Sequence, residues 1–237
     1  MKNIQSLHCQ NECLVRSHIL FRHLNEEELA RLQVEKHAEF HRRGSTLYQE
    51  GNRINGFYCI EKGIIKVYKT GIDGKEQIIR FARKGDIIGF RSVLSKELAC
   101  TTAEVIEDAV TCYIPGDTLI YMVKNNGNFS IELMQLTCKE LGEANEYITD
   151  IAQKTVRERL AEILIHLVDE FGLDENNVLQ ITLTREELAN IVGTATESVI
   201  RLLSEFKQDK LIELNGRKIK VLDIPSLMKV GNVFNNH

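Results

Sequence analysis

The chain has 237 residues, 43% of them hydrophobic and 27% charged, with a formal net charge of −4. That is room for two modest domains of ordinary globular composition, and the slight acidity argues only mildly against a nucleic-acid partner, because phosphate attraction depends on local charge. No apolar run approaches the roughly 18–20 residues needed to cross a bilayer and the start has no signal-peptide core, so a cytoplasmic location is the default expectation. Residues 1–18 show no clear period. A short helix follows over Glu26–Leu32, with Asn25 as its N-cap.

From Ala38 to Pro115 short β-branched and aromatic runs alternate with glycines at 44, 51, 56, 63, 71, 74, 85 and 89. Gly56–Glu61, Ile64–Tyr68 and Glu76–Phe81 read as separate strands of an antiparallel sandwich or barrel. Asp73-Gly74 is a hairpin signal, and Ala103–Ile114 supplies the final strands before Pro115 ends them. The period then lengthens. Asn128–Lys154 is one long helix whose stripe comprises Ile131, Leu133, Met134, Leu136, Leu141, Ala144, Ile148, Ile151 and Ala152. Such a stripe serves a dimer seam, packing on the chain's own β-domain, or both on different faces.

An amphipathic helix over Val156–Phe171 turns Leu160, Ile163, Leu164 and Leu167 inward, and Gly172 stops it. A polar loop, Asp174–Asn177, leads to a short strand at Val178–Ile181. Residues 183–213 then read as two short helices joined by a tight turn at Gly193. The second helix places Thr194, Thr196, Glu197, Ser198 and Arg201 on a polar face and Val199, Leu202, Leu203 and Phe206 on the opposite one. A DNA-reading helix is built this way, one side packed on its partner helix and the other reaching base edges. Arg185, Arg201, Lys207, Lys210, Arg217, Lys218 and Lys220 gather around it. Leu211–Leu214, an Asn215-Gly216 turn and Lys218–Leu222 form a hairpin that completes a winged helix, and the last dozen residues form a frayed polar tail. No nucleophile elbow, phosphate loop with lysine or His-Glu-x-x-His pattern is present, so no enzyme activity is expected.

This order, and above all the run Leu183-Thr-Arg-Glu-Glu-Leu-Ala-Asn-Ile-Val-Gly-Thr-Ala-Thr-Glu-Ser-Val-Ile-Arg-Leu-Leu, resembles the CRP/FNR family of bacterial transcription regulators. The glycines at 44, 51, 63, 85 and 89 fit that family's β-roll. The resemblance implies an α+β architecture: an N-terminal segment (1–18), a double-stranded β-helix, or jelly-roll-like β-roll, sensor (19–126), a long dimerisation helix (127–154) and a winged helix-turn-helix (155–237). It implies a homodimer on a palindrome of double-stranded DNA, with RNA polymerase as the further partner of a transcription activator. Glu197 and Arg201 share one face four residues apart; arginine donates twice to guanine and glutamate accepts from the cytosine amino group, which suits a TGA-like core. Thr196 stands where cAMP-responsive members carry a guanine-reading arginine, and Ile200 replaces a serine common in FNR-type readers, so flanking preference should differ. Thr184 and Arg185 at the start of the first helix, and Arg217 and Lys218 on the wing, suit phosphate contacts.

For the signal, the resemblance argues against cAMP. Phe90 stands at the ribose glutamate, and Ala99 and Cys100 at the phosphate arginine and serine, so the phosphate charge would be buried without its guanidinium. Arg91 is left as a possible partner for some other anion. The oxygen-responsive branch implies an iron–sulfur cluster instead, for which Cys9, Cys13, His18 and Cys112 are the candidate ligands, with Cys100 in reserve. Thiol redox sensing and plain burial of the cysteines stay open beside it, and Cys59 and Cys138 read as core or helix-packing residues. The cofactor is therefore unknown at this stage.

Overall fold

A computed structural model describes residues 19–233. Cys9, Cys13 and His18 lie outside the described residues. The chain divides into two compact units, with the boundary inside a long helix between Leu141 and Gly142.

The first unit opens on a 3-10 turn at Ile19–Phe21 and helix α1, Glu26–Glu35. Asn25 caps α1 as expected: its side chain accepts from the Glu28 amide at 2.9 Å, and the Glu28 carboxylate accepts from the Asn25 amide at 2.9 Å. Strands β1 (His37–His41), β2 (Thr46–Tyr48), β3 (Gly56–Thr70), β4 (Glu76–Ala82), β5 (Ile87–Ile88) and β6 (Thr102–Pro115) form one antiparallel sheet. Its path is β1-β6-β3-β4, with β2 also on β6 and β5 on β3.

The two runs expected as separate strands at Gly56–Glu61 and Ile64–Tyr68 are one continuous strand, β3, whose register against β6 shifts between Ile60 and Ile65. Gly63 makes the bend. Its φ is +88°, and a Cβ there would sit 2.5 Å from the Asp108 carbonyl oxygen, so the backbones cross where no side chain fits. The Asp73-Gly74 hairpin is present, but Thr70 pairs with Glu76, so its loop is longer than a two-residue turn.

Side chains alternate across β3. Phe57 and Cys59 enter one core with Leu20, Phe21, Leu32, Cys112, Leu119, Phe129 and Leu133, while Ile60 enters another with Tyr48, Ile65, Ile88, Ala99 and Val105. Two helices absent from the sequence reading, α2 (Phe90–Ser95) and α3 (Gly116–Asn125), close this unit together with the start of α4, Gly127–Gln153. Only Phe129 and Leu133 of α4 are buried; Met134, Leu141 and Ile148 are 58%, 62% and 65% exposed.

In the second unit α5 (Val156–Phe171) begins at a second capping box, Thr155 with Glu158. Leu160, Leu164 and Leu167 point inward as expected; Ile163 is half-buried and Ile165 is buried beside them. Helices α6 (Arg185–Val192) and α7 (Thr196–Gln208) and strands β7 (Ile212–Asn215) and β8 (Lys218–Val221) follow. Val178–Ile181 does not form the expected strand; Val178 and Leu179 make single bridges to Lys220 and Leu173. Nor is the C-terminal region a frayed tail from the start. Asp223 caps α8 (Ile224–Val230), whose Leu227 is buried. The Asp-Ile-Pro-Ser run is a helix start, an acceptor followed by proline in the first turn.

Candidate nucleic-acid interface

The two-helix element is set by its caps and by one buried cation. The Thr184 hydroxyl accepts from the Glu187 amide at 3.0 Å, and the Glu187 carboxylate accepts from the Thr184 amide at 2.6 Å. Thr184 therefore spends its hydroxyl on starting α6. The helix stops at Gly193, whose φ of +72° is the left-handed conformation, and the Gly193 and Thr194 amides both donate to the Ala189 carbonyl, at 2.9 and 3.1 Å. Thr194 thus belongs to the turn rather than to the reading helix. Arg159, from α5, is buried here. Its Nε donates to the Val192 carbonyl at 3.0 Å and its Nη1 to the Lys154 carbonyl at 2.8 Å. A cation on the last carbonyl of α6 satisfies a helix end that has no internal partner. Nothing in the sequence pattern singled out Arg159; it sits at the second turn of an amphipathic helix, where an arginine reads as surface. The Tyr147 hydroxyl, from α4, donates to the neighbouring Ile191 carbonyl at 3.3 Å.

With α6 fixed, α7 buries Val199, Leu202, Leu203 and Phe206 and leaves Glu197, Ile200, Arg201 and Ser204 exposed, with Thr196 and Ser198 half-buried at its start. The apolar face assigned from the sequence is the buried face observed, and of the polar set only Thr194 lies outside the helix. Ala195 caps α7 without a side-chain bond. The Arg201 side chain is 67% exposed and pairs with Glu205 at 2.5 Å. An exposed i,i+4 pair contributes about 0.3–0.5 kcal/mol, so the guanidinium is only weakly held in this arrangement. Glu205 also holds Arg157 at 2.9 Å, and the Arg157 guanidinium lies 4.8 Å from the Phe206 ring centre. Glu197 forms no ion pair among the described residues.

The wing differs from expectation by one residue. Asn215 pairs with Lys218, so the turn residues are Gly216 and Arg217, not Asn215 and Gly216. Gly216 takes φ +59° as the first central residue of a two-residue loop, which leaves Arg217 at the tip. Arg217 and Lys218 are exposed. Arg185 is not. Its Nη2 donates to the Gly216 carbonyl at 2.8 Å, bracing the wing turn against the start of α6, and burial pulls its pKa down from the usual guanidinium range.

In the first unit, Phe90 and Ala99 are both buried, and Cys100 is half-exposed with its thiol contacted by the Arg91 guanidinium. Arg80 of β4 donates to the Ile87 carbonyl at 3.0 Å and lies 3.1 Å from Glu140 of α4, a charge pair rather than an aligned hydrogen bond. An open cavity of about 380 Å³ is lined by Tyr48, Tyr58, Tyr113, Glu39 and Arg53, among others. Burial, followed by the nearby Glu39 carboxylate, pushes Tyr58 up to about 12. Cys112 is buried, its strand partner is Cys59, and both share a core with Leu20 and Phe21. Among the described residues no cluster of three or more His, Cys, Asp or Glu is arranged to hold a metal, so an iron–sulfur group would depend on residues outside them. Cys138, expected to pack, is exposed on α4.

Residues 38–126 match the cyclic nucleotide-binding domain family, and residues 158–230 match the Crp-like helix-turn-helix domain. The chain belongs to the CRP/FNR family of DNA-binding transcription regulators. Among its relatives is the fumarate and nitrate reduction regulatory protein of Vibrio cholerae, 29% identical over 98% of this chain and 95% of that one. The anaerobic regulatory protein of Haemophilus influenzae is 27% identical over 95% and 88%. The fold is shared with a CRP/FNR transcriptional regulator from Eubacterium rectale (TM-score 0.76, 19% identity, covering 90% of this chain and 98% of that one). It is also shared with FixK2 of Bradyrhizobium japonicum (TM-score 0.74, 22% identity, 82% and 96%). As the family's α+β fold requires, an antiparallel sheet domain precedes a long helix and a C-terminal helix-turn-helix. No helix among the described residues is long and apolar enough to cross a membrane.

Proposed function

We propose that this regulator works in the cytoplasm as a homodimer on an inverted repeat with a TGA-like core, responds to an effector other than cAMP, and carries no enzyme activity. Residues 19–126 sense, 127–154 dimerise and 155–237 read DNA. The observation that carries the reading is the surface of α7, where a carboxylate at Glu197 and a guanidinium at Arg201 stand exposed on a helix whose opposite face is buried. Arg201 donates to guanine O6 and N7, and Glu197 accepts from the paired cytosine. Arg217 and Lys218 on the wing meet phosphates, as do the uncapped amides at the start of α7. Thr184 and Arg185, engaged in a cap and a brace, orient these groups and reach the backbone only at its edge.

Dimerisation is supported by the exposed side of α4. Ile131, Met134, Cys138, Leu141, Asn145, Ile148 and Ala152 are all exposed and alternate at spacings of three and four, the a/d pattern of a two-stranded seam. Paired along it, two α7 helices enter successive major grooves about 34–36 Å apart. An effector that prefers one arrangement of the seam changes the presentation of the readers. Against cAMP stand Phe90 and Ala99, apolar and buried where ribose and phosphate partners are needed. RNA polymerase is the partner expected of an activator so built.

The test is a gel-shift titration of wild type and Arg201→Ala on a TGA-core palindrome. Loss of guanine readout is expected to cost about 1–3 kcal/mol at that base pair. Equal affinities would defeat the assignment.

A further inference from the structure

The open cavity of about 380 Å³ in the first unit is walled by tyrosines and by two opposite charges. Tyr58 and Tyr113 are paired across β3 and β6, with ring centres 5.2 Å apart and planes at 60°. Tyr48 of β2 lies 6.4 Å from Tyr58 at 23°. Gly56 seats one of these rings, since a Cβ there would fall 2.5 Å from Tyr113. The adjoining core is aliphatic, with Ile60, Ile65, Ile88 and Val105, so the aromatic rings gather at the cavity. Glu39 lies among them. Burial, and then the charge of Glu39, raise the pKa of both Tyr58 and Tyr113, which sets the carboxylate near both phenols. His41 is 3.5 Å from Glu39, but burial holds it below the usual histidine range, so it is neutral at pH 7 and leaves the carboxylate uncompensated. Arg53 lines the same cavity, and among the described residues it forms no ion pair with Glu39. Phe90, Ala99 and Cys100 do not line this cavity, so it is separate from them.

A carboxylate among aromatic rings suits a weakly hydrated cation. An alkylated ammonium is attracted by the ring quadrupoles and by Glu39, whereas a primary ammonium would lose water that the rings do not replace. A guanidinium in the same cavity suits a carboxylate. Arg53 disfavours a simple cation there, and Glu39 a simple anion. Opposite charges that share a cavity without touching are matched by a molecule carrying both signs. We propose that this cavity binds a small zwitterion, with its quaternary ammonium among Tyr48, Tyr58, Tyr113 and Glu39 and its carboxylate on Arg53. This rests on, and deepens, the reading of residues 19–126 as the sensor: such a zwitterion is the class of effector that the sensor takes.

Trimethylglycine is the probe, titrated calorimetrically into the full-length protein without DNA. Choline keeps the ammonium and lacks the carboxylate; 3,3-dimethylbutyrate keeps the shape and carboxylate and replaces the charged nitrogen by carbon. Trimethylglycine is expected to bind, and 3,3-dimethylbutyrate about thirty-fold more weakly, as loss of a desolvated cation–π contact requires. Glu39→Gln should weaken trimethylglycine about five-fold, and Arg53→Gln should bring trimethylglycine and choline to equal affinity. Both residues are exposed, so the variants should melt with wild type. The proposal is overturned if trimethylglycine shows no saturable binding, if 3,3-dimethylbutyrate binds as tightly, or if Glu39→Gln binds as wild type does. The ligand is then added to gel shifts on a palindrome that the full-length protein selects from random DNA, where a changed affinity is expected. Calorimetric binding with an unchanged DNA affinity would overturn the sensor reading and leave the site standing.

Discussion

Replacing Arg159 with methionine tests how the reading helix is held. The substitution keeps the length of the side chain and removes its donors. In wild type the guanidinium satisfies the Val192 and Lys154 carbonyls at 3.0 and 2.8 Å, and a third approach, to the Gly193 carbonyl at 3.5 Å, is too long to count. A hydrogen bond from a charged donor contributes about 1.5–3 kcal/mol, so two of them are worth at least about 3 kcal/mol. The apolar stem of methionine returns only part of that. The loss falls on the turn, where the Gly193 and Thr194 amides donate to Ala189. Amide hydrogen exchange at those two positions should therefore accelerate about a hundredfold, with DNA affinity falling beside it, while amides of the first unit keep their protection. Exchange at Gly193 and Thr194 unchanged from wild type would refute the claim that Arg159 pins the turn.

Two further outcomes follow from the same structure. Leu141→Glu or Ile148→Asp places a charge on the exposed stripe of α4, and sedimentation should show monomers with an unchanged fold; a dimer of undiminished affinity would remove α4 from the seam. Tyr58, raised to about 12 with its hydroxyl on the Leu47 carbonyl, should stay un-ionised in an alkaline absorbance titration after exposed tyrosines have titrated. Its folded pKa lies above the unfolded value near 10, so its contribution to stability is full below about pH 10 and is lost as pH rises toward about 12. Ionisation of every tyrosine in one step near 10 would contradict that.

The parts of this molecule legible in the sequence are those governed by local chemistry. Asn25 announced the N-cap of α1, the apolar spacing of α7 gave its buried face, and the glycine at 193 marked the turn. Most of the misses trace to contacts distant in sequence. One strand looked like two because Gly63 bends β3 against Asp108, which only the fold brings near. The wing turn moved by one residue because pairing of Asn215 with Lys218 outweighed the local preference of an Asn-Gly step. The brace that Arg185 makes to the Gly216 carbonyl and the bond from Arg159 to the Val192 carbonyl had no local signal, because only the fold brings those groups together. The exposed face that carries Glu197 and Arg201 was visible because a helix face needs no tertiary partner to be recognised.

The most direct test of the account is methylation interference at guanine N7 on the selected palindrome. Wild type should be blocked by a methyl on the guanine of each TGA core, and that interference should vanish in Arg201→Ala while Glu197 remains in place. Interference at those guanines that persists in Arg201→Ala, or none at all in a protein that still binds, would mean that some other surface reads the DNA.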